Sequence, residues 1–449
     1  MNSNMKLSEE LEYRGFKAET TIKDVAELDT RESKKFYWGA DPSADSLTIG
    51  NLAALMMCAC FVRHGYEPYL LVGGATGQIG DPKENGERDL KSLDEVEHNK
   101  SCIKKQIERV IIGSVSTGPA IASSPALAGA RAGAPQATSP VETSPSIVTV
   151  DNYDWFRDMK YLDFLREVGK AFSMTQLLDR QFVQNRIGEG GSGISYAEFS
   201  YTLIQGYDFL HLYREYGVSL QLCGADQYGN CTSGIHLIRR LEDAQADVWS
   251  TPLVIDPVTG RKFGKSEGNA VWLAASDNGG GNYTSVFDFY QFWLNQPDGT
   301  VGSLLKIYTV LEPEEIDKIL AEQQEHPERR VAQKALAYGA TSVVHGAEMA
   351  EAAEFATQFL FSREPEYTDE NIAALKKVVA NHGVWSEEEG LLDVLVRFGL
   401  AASKGEARKL IKAGAISFNG EKVAGEDFRA GCNGVLKRGK NKFAVIEVA

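Results

Sequence analysis

Two separated stretches of the sequence combine residue types that could bind a polyphosphate. The first, residues 37–51, reads YWGADPSADSLTIGN and predicts a strand, a polar turn and a helix that opens near Ile49. The N-terminus of a helix offers unpaired N–H groups and a partial positive charge, so it favours anions. Gly50 would let a phosphate lie close to the backbone, and Thr48 and Asn51 add short side-chain donors.

The second stretch is a compact cationic turn far downstream, Lys262 to Ser266, which reads KFGKS. Two lysines three positions apart, with a glycine between them, suit a loop that closes over phosphates. Either stretch alone fits an ordinary structure: a strand–turn–helix for the first, and a solvated basic turn for the second. Together, in this order and at this separation, the two stretches indicate a site that binds a nucleotide.

A third pattern lies on a predicted helix at 198–210, which reads EFSYTLIQGYDFL. Tyr201, Gln205 and Asp208 stand at positions i, i+4 and i+7, so they share one face of that helix, whose other faces are mostly apolar. A polar stripe on an apolar helix is either a solvated face or the wall of a pocket. Solvated faces usually carry Lys and Glu, but the residues alone leave both interpretations open.

These residues need a scaffold, and the alternation of elements predicts a parallel sheet. An apolar strand at 67–72 runs into the glycine-rich turn 73–82, and a strand at 219–223 runs into the polar turn 224–230. Strand, helix and strand in this order are typical of a doubly wound α/β fold, which binds ligands at the carboxyl ends of its strands. Asp81 either faces that crevice or caps its own turn. The glycine run lacks the G-x-G-x-x-G pattern, so it predicts no nicotinamide site.

The two phosphate stretches resemble the nucleotide-binding signatures of class I aminoacyl-tRNA synthetases, and their surroundings resemble the bacterial-type tyrosyl-tRNA synthetases. The resemblance covers nearly the whole chain. It implies that L-tyrosine and ATP form tyrosyl-adenylate and pyrophosphate, and that tyrosyl then passes to the 3′ end of tRNA(Tyr) in protein biosynthesis. It further implies ATP as a substrate with Mg²⁺, no tightly bound cofactor, no resident metal and a homodimer.

The resemblance also implies a role for each matching residue. The tyrosine hydroxyl would meet Asp208 and Tyr37, and the α-amino group would meet Tyr201 and Gln205. The implied tyrosine-binding residues are Tyr37, Asp81, Tyr201, Gln205, Asp208, Gln221 and Gln227. The implied ATP-binding residues are Gly39, Asp41, Gly50, Lys83, Arg88, Gly224, Asp226 and Lys265. The implied catalytic residues are Thr48, Asn51, Lys262, Lys265 and Ser266.

The chain departs from the family pattern at a few positions. Thr48 and Asn51 stand where the family usually has two histidines, and Trp38 replaces a small residue near the ribose. Two rival functions remain: a tryptophanyl ligase, and a non-catalytic RNA-binding protein on a synthetase scaffold. Asp208 with Tyr37 favours a phenol over an indole, and the intact lysine pair favours an active enzyme.

The domain organisation predicted from composition and resemblance has four parts. They are a Rossmann-like catalytic domain at 1–250 with a low-complexity insert at about 113–146, a lysine-bearing loop and linker at 251–281, an α-helical anticodon-region domain at 282–385, and a small α+β RNA-binding domain at 386–449. The last part resembles an RNA-binding module of a small-subunit ribosomal protein. Within it, Asn419-Gly420 is a hairpin signal. The implied RNA-binding residues are Lys404, Arg408, Lys409 and Lys412.

Composition agrees with a globular protein that touches a polyanion at one end. Hydrophobic residues make up 43% of the 449 residues and charged residues 24%, and no apolar run reaches the length of a membrane span. Residues 403–449 hold ten Lys/Arg against five Asp/Glu, so the other 402 residues carry a net charge of −20. The six cysteines lack metal-ligand spacing and predict reduced, mostly buried thiols, and a cytoplasmic location is expected.

Overall fold

The computed structural model describes residues 5–82, 90–116, 146–178, 181–188, 190–255, 260, 262–263 and 269–449. The chain forms two compact units. The first comprises Met1–Tyr283 and Pro297–Ala332, and the second comprises Thr284–Gln296 and Gln333–Ala449. Residues 282–385, predicted as one helical domain, contribute to both units, and the four-part division stays a prediction. Most of the predicted insert, residues 117–145, lies outside the described residues.

The first unit is built on a five-stranded parallel sheet, which confirms the predicted doubly wound α/β fold. The strands are β1 (Lys35–Ala40), β2 (Glu67–Val72), β3 (Val148–Val150), β4 (Leu220–Gly224) and β5 (Asp247–Thr251). Their order in the sheet is β3-β2-β1-β4-β5, and every neighbouring pair is parallel. The strand order reverses direction between β1 and β4, where Tyr37 pairs with Gln221. Such a switch point opens a crevice at the carboxyl ends of the two strands.

Helices alternate with these strands along the chain. In the first unit they are α1 (Leu7–Arg14), α2 (Glu27–Thr30), α3 (Ile49–Arg63), α4 (Leu93–Ser116), α5 (Tyr153–Phe156), α6 (Tyr161–Glu167), α7 (Met174–Leu178), α8 (Gln181–Ile187), α9 (Tyr196–Tyr216), α10 (Tyr228–Glu242), α12 (Asp298–Tyr308) and α13 (Pro313–Glu325), with α11 (Val286–Leu294) belonging to the second unit. No helix in the described ranges is long and apolar enough to cross a membrane.

Helix α3 lies in the core, because it is apolar on all sides. Every residue from Leu52 to Val62 is buried. Its last turn is held by Glu10, whose carboxylate accepts hydrogen bonds from Arg14 (2.6 Å), Arg63 (2.6 Å) and His64 (2.7 Å). Burial opposes ionisation of Glu10, but these three partners outweigh it and hold the pKa of the carboxyl below its usual value.

This cluster is also the one group of three potential metal ligands in the described part of the chain, through Glu10, Cys60 and His64. Two guanidinium groups already occupy the carboxylate, and a cation would have to displace them. The cluster is therefore a buried ion-pair network that ties α1 to α3. All six cysteines are free thiols, and four of them are buried, as the sequence predicted.

Helix α9 starts at a fully buried ion pair. Ser195 caps the helix by accepting a hydrogen bond from the N–H of Glu198, whose carboxylate accepts one from the N–H of Ser195. The same carboxylate binds Arg186 at 2.9 Å, and each side chain is only 2% exposed. Arg186 also donates to the carbonyl of Gly193 at 2.5 Å, so the pair connects the end of α8, the following turn and the start of α9.

The second unit combines helices with a five-stranded sheet. Its elements after α11 are α14 (Val331–His345, which begins in the first unit), α15 (Ala347–Phe361), α16 (Asp369–Lys376), β6 (His382–Trp385), α17 (Leu391–Arg397), α18 (Lys404–Lys412), β7 (Ile416–Phe418), β8 (Glu421–Lys422), β9 (Gly434–Arg438) and β10 (Lys442–Val448). The sheet order is β6-β10-β9-β7-β8. Asn419 (φ 48°) and Gly420 (φ 83°) form the tight turn between β7 and β8, which confirms the predicted hairpin.

The buried Arg186–Glu198 pair predicts a large effect of removing one partner. Glu198→Ala should lower the free energy of unfolding by about 3–5 kcal/mol, because it leaves the Arg186 guanidinium buried without its counter-charge. Urea unfolding of the two proteins measures the difference. The control is Glu67→Ala at the half-exposed Lys35–Glu67 pair, which should cost about 1 kcal/mol or less. Equal losses at the two sites would contradict the interpretation.

Candidate active site

A cavity of about 1370 Å³ opens at the carboxyl ends of β1 and β4, at the predicted switch point. It gathers every described residue that the sequence analysis assigned to the amino acid, to ATP or to catalysis. These residues are Tyr37, Gly39, Asp41, Thr48, Gly50, Asn51, Asp81, Tyr201, Gln205, Asp208, Gln221, Gly224, Asp226, Gln227 and Lys262. Four further residues assigned there, Lys83, Arg88, Lys265 and Ser266, lie outside the described residues.

The start of α3 forms one wall of the cavity. The side-chain oxygen of Asn51 accepts hydrogen bonds from both the N–H and the hydroxyl of Thr48, each at 3.1 Å. Thr48 is buried, and its hydroxyl donates its hydrogen bond to Asn51 within this cap. The side-chain oxygen of Asn51 accepts both of these hydrogen bonds, so the amide nitrogen of Asn51 is the donor that remains. Asn51 therefore offers a hydrogen-bond donor to the cavity, and Thr48 supports it.

The two phosphate stretches meet at Gly50. A Cβ atom placed on Gly50 would lie 2.8 Å from the carbonyl oxygen of Phe263, so only glycine allows this contact. The N–H of Phe263 donates to the carbonyl of Val254 at 3.2 Å, and Lys262 pairs with Ile255. Residues more than two hundred positions apart in the chain thus lie side by side at the cavity edge.

Lys262 brings a cation to this edge. Its Nζ lies 3.6 Å from Oδ2 of Asp226, and the two side chains are 44% and 42% exposed. An ion pair this open contributes little to stability, because water screens it and two long side chains must be ordered to form it. Lys262 can therefore leave Asp226 for an incoming anion at small cost.

The deep end of the cavity holds a buried carboxylate beside a buried phenol. Asp208 accepts hydrogen bonds from Asn152 Nδ2 at 3.1 Å and Trp155 Nε1 at 3.0 Å. Burial raises the pKa of Asp208 well above its usual range, although these two hydrogen bonds oppose the rise. Gln221 Nε2 donates to the hydroxyl oxygen of Tyr37 at 2.6 Å, and burial together with Asp208 raises the pKa of Tyr37.

A second group of carboxylates surrounds the middle of the cavity. Asp41 accepts hydrogen bonds from the hydroxyls of Tyr201 at 2.8 Å and Thr76 at 2.6 Å. Burial, and after it Asp41, raise the pKa of Tyr201. Asp81 accepts from Gln227 Nε2 at 2.9 Å and from Asn230 Nδ2 at 3.2 Å. With several carboxylates and one described lysine on its wall, the cavity favours a cationic group at its centre.

Two glutamines present acceptors that have no protein partner. The side-chain oxygens of Gln205 and Gln221 are buried and form no hydrogen bond with any residue that the structure describes. The amide nitrogen of Gln205 contacts the sulfur of Cys231 at 3.8 Å, and that of Gln221 is taken by Tyr37. Buried polar atoms are nearly always hydrogen-bonded, and leaving one unpaired is costly. The two oxygens therefore indicate that a ligand with hydrogen-bond donors completes the site.

The residues that hold the predicted ones in place were not indicated by any of the sequence patterns. Asn152 and Trp155 orient Asp208, Thr76 supports Asp41, and Asn230 supports Asp81. One signal could have found the first two. Asn152 and Trp155 directly follow the short strand β3, and polar residues after a parallel strand face the same edge of the sheet as the ligand crevice.

Family models match almost the entire chain. The model for class I tRNA synthetases (W and Y) matches residues 29–362. The model for the tyrosine–tRNA ligase SYY-like C-terminal domain matches residues 371–446.

Individual proteins agree with these matches. A tyrosine–tRNA ligase of Bifidobacterium longum is 37% identical over 460 residues, spanning 98% of this chain and 96% of the relative. Tyrosine–tRNA ligase 2 of Enterococcus faecalis is 39% identical and spans 99% of this chain and 100% of its own. Among solved structures, a C-terminally truncated mitochondrial tyrosyl-tRNA synthetase of Aspergillus nidulans superposes with a TM-score of 0.66 at 27% identity, covering 80% of this chain and 95% of that one.

The raised pKa of Asp208 predicts a specific pH dependence of stability. The folded protein keeps a proton on Asp208 at pH values where the unfolded chain, with a carboxyl pKa of about 3.9, has lost it. The free energy of unfolding of the wild type, relative to Asp208→Asn, should therefore fall as the pH rises above about 4, and level off above the folded pKa. Urea unfolding of both proteins across a pH series measures this difference.

A matched control uses the exposed Asp154, whose side chain is 65% accessible. Urea unfolding of wild type and Asp154→Asn across the same pH series gives the difference for an exposed carboxylate, against which the difference for Asp208→Asn is compared. A constant or rising difference for Asp208→Asn would show that Asp208 is not protonated more readily in the folded state.

Proposed function

The chain belongs to the class I tyrosine–tRNA ligases, and from that membership we propose how its cavity performs the reaction. The enzyme activates L-tyrosine with ATP to tyrosyl-adenylate and pyrophosphate, and it then transfers tyrosyl to the 3′ end of tRNA(Tyr). The family model spans residues 29–362, and relatives of this name match at 37–39% identity over nearly the full chain. ATP is thus a substrate. The residue assignments below are proposals.

The amino-acid side chain occupies the deep end. The phenol O–H of tyrosine donates to Asp208, whose carboxylate already accepts two hydrogen bonds and gains a third. The hydroxyl oxygen of Tyr37 accepts from Gln221, so its own proton is available to the phenol oxygen of the substrate. This pair of partners is the observation that carries the assignment, because an indole or a phenyl ring could not satisfy both groups.

The α-ammonium group of tyrosine lies among the central carboxylates. The unpaired oxygen of Gln205 is an acceptor for one of its N–H bonds. Asp81 and the Tyr201–Asp41 pair surround the same region with negative charge and oxygen acceptors. Gln227 supports this arrangement through its hydrogen bond to Asp81.

ATP occupies the wall formed by β1 and the start of α3. Gly39 and Gly50 allow the nucleotide to approach the backbone, and Asp41, Gly224 and Asp226 are placed for the ribose. Asn51 and Lys262 bind the phosphates. Four more residues predicted to bind or stabilise the phosphates, Lys83, Arg88, Lys265 and Ser266, lie outside the described residues.

The first step needs positioning and not a protein nucleophile. A carboxylate oxygen of tyrosine forms a bond to the α-phosphorus, and the bond from that phosphorus to the bridging oxygen of pyrophosphate breaks. Negative charge grows on the phosphate oxygens, and the amide of Asn51, the N–H groups at the start of α3 and Lys262 stabilise it. Mg²⁺ arrives with ATP, held by phosphate oxygens and water.

The second unit supplies the contact to tRNA. Lys409 and Lys412 are exposed on α18, while Lys404 and Arg408 on the same helix form open ion pairs with Asp393 and Glu426. Open pairs of this kind exchange readily for phosphates. A cytoplasmic location stays a prediction of the sequence.

The substrate assignment predicts tyrosine-dependent exchange of pyrophosphate into ATP. Purified protein should exchange with tyrosine and only weakly with phenylalanine or tryptophan. Tyr37→Phe should lower kcat/KM for tyrosine by roughly 2- to 10-fold, because one neutral hydrogen bond to the substrate is lost. The same variant should leave the weak exchange with phenylalanine unchanged, which serves as its internal control. Stronger exchange with tryptophan would overturn the substrate, and no exchange with any amino acid would favour a non-catalytic RNA-binding protein.

We also propose that the enzyme is a homodimer. Large apolar and aromatic side chains are exposed between residues 153 and 196, namely Tyr153 (45%), Tyr161 (60%), Leu162 (75%), Met174 (58%), Ile187 (47%) and Tyr196 (62%). Such a concentration of apolar surface in one segment is typical of a protein–protein contact.

Sedimentation equilibrium tests the homodimer. The wild type should sediment as a dimer, and Leu162→Glu should weaken association at least about 10-fold, since it would bury a charge in an apolar contact. The matched control is Leu93→Glu, which changes a leucine of similar exposure (67%) outside the segment and should leave association intact. A monomeric wild type, or equal effects of both variants, would refute this interface.

A further inference from the structure

Asp45 is a buried carboxylate whose described side-chain hydrogen bonds come from neutral donors. It is 2% exposed. Its Oδ2 accepts a hydrogen bond from the N–H of Gly280 at 3.0 Å, and its Oδ1 accepts one from Asn282 Nδ2 at 2.7 Å. A buried charge is costly unless its donors are held in place, so this arrangement requires a fixed partner segment.

That partner is residues 271–282, here called the strap. The strap runs antiparallel to the turn that precedes α3. The N–H of Ile49 donates to the carbonyl of Val271 at 3.0 Å, and the N–H of Leu273 donates to the carbonyl of Leu47 at 2.8 Å. The N–H of Ala274 donates to the hydroxyl oxygen of Ser46 at 3.0 Å. The strap is thus hydrogen-bonded to the residues immediately before the start of α3, which lines the cavity.

The far end of the strap is folded back so that it can reach Asp45. Oδ1 of Asp277 accepts the N–H groups of Gly279 at 2.8 Å and Gly281 at 2.7 Å. This local turn aims the N–H of Gly280 at Asp45. A Cβ on Gly280 would lie 2.7 Å from Oδ2 of Asp45, so the contact leaves no room for a side chain.

Two stretches of the chain contact the start of α3. Phe263 lies against Gly50, and residues 271–274 lie against residues 46–49. Asp45 closes the second of these contacts, because its two hydrogen bonds hold the end of the strap.

We propose that Asp45 is a positioning residue for adenylate formation. By holding the strap on the turn before α3, it fixes the helix start where Asn51 lies. It touches neither substrate. This inference rests on the proposed function, since it concerns the alignment of groups that would stabilise charge at the α-phosphate.

The test is a set of variants in tyrosine-dependent ATP–pyrophosphate exchange with the full chain. Asp45→Asn keeps the shape but puts an N–H₂ group against a donor. Gly280→Ala disturbs the same contact from the exposed side of the strap, where the backbone lies outside the left-handed region and accepts alanine. Each variant should lower kcat by roughly 10- to 100-fold, as expected for misplaced catalytic groups, with KM for tyrosine within about twofold of wild type.

A double-mutant cycle separates positioning from general damage. If Asp45 acts through the start of α3, Asp45→Asn should lower kcat by less than about threefold in an Asn51→Ala background, because the side-chain donor it positions is already gone. Gly280→Ala should likewise add nothing to Asp45→Ala, which removes the carboxylate that the new methyl group would meet. The matched control is Gly299→Ala on α12, where a Cβ meets open space and kcat should not change.

The outcomes are distinguishable. Fully additive effects of Asp45→Asn and Asn51→Ala, an equal loss in tyrosine affinity, or an unchanged kcat in both Asp45→Asn and Gly280→Ala would each overturn the proposal. Wild-type protein that fails to exchange with tyrosine would instead overturn the proposed function. Thermal unfolding of each variant identifies loss of the fold, and in that case the exposed Gly280→Ala variant decides the result.

Discussion

The parallel pairing of β1 with β4 is the interaction on which the rest of the site depends. It places Tyr37 beside Gln221 in register and lets the hydrogen bond between their side chains form at 2.6 Å. Because the strand order reverses there, the helices that follow β1 and β4 leave in different directions and open the cavity. The polar turns at the ends of these strands therefore lie around the same cavity.

The site is held by carboxylates whose partners come from distant parts of the chain. Asp208 on α9 is held by Asn152 and Trp155, and Asp41 after β1 is held by Tyr201 and Thr76. Asp208 does not favour folding, because burial opposes its ionisation. The side-chain oxygens of Gln205 and Gln221, which no described residue pairs, are also unfavourable for the folded chain by itself. Such departures from full pairing are expected at a functional site.

Much of the site could be predicted from local patterns. The i, i+4, i+7 spacing of Tyr201, Gln205 and Asp208 placed them on one face of α9, and all three line the cavity. The pairing of Asn152 with Asp208 could not be predicted, because 56 positions separate the two residues and no local period connects them. The same holds for Asp45, whose partners lie 235 and 237 positions away. Sequence patterns indicate which face a residue takes, whereas such distant contacts depend on how the elements pack.

The cap of α3 determines the electrostatics of the cavity wall that the start of this helix forms. In the family this helix usually begins with two histidines, side chains that gain or lose a proton near neutral pH. Here Thr48 and Asn51 bind each other, and neither can titrate. The helix start therefore presents only fixed dipoles to the cavity, whose strength is the same in mildly acidic and mildly alkaline surroundings. A ligand at this wall would meet a helix start that adds no pH sensitivity of its own.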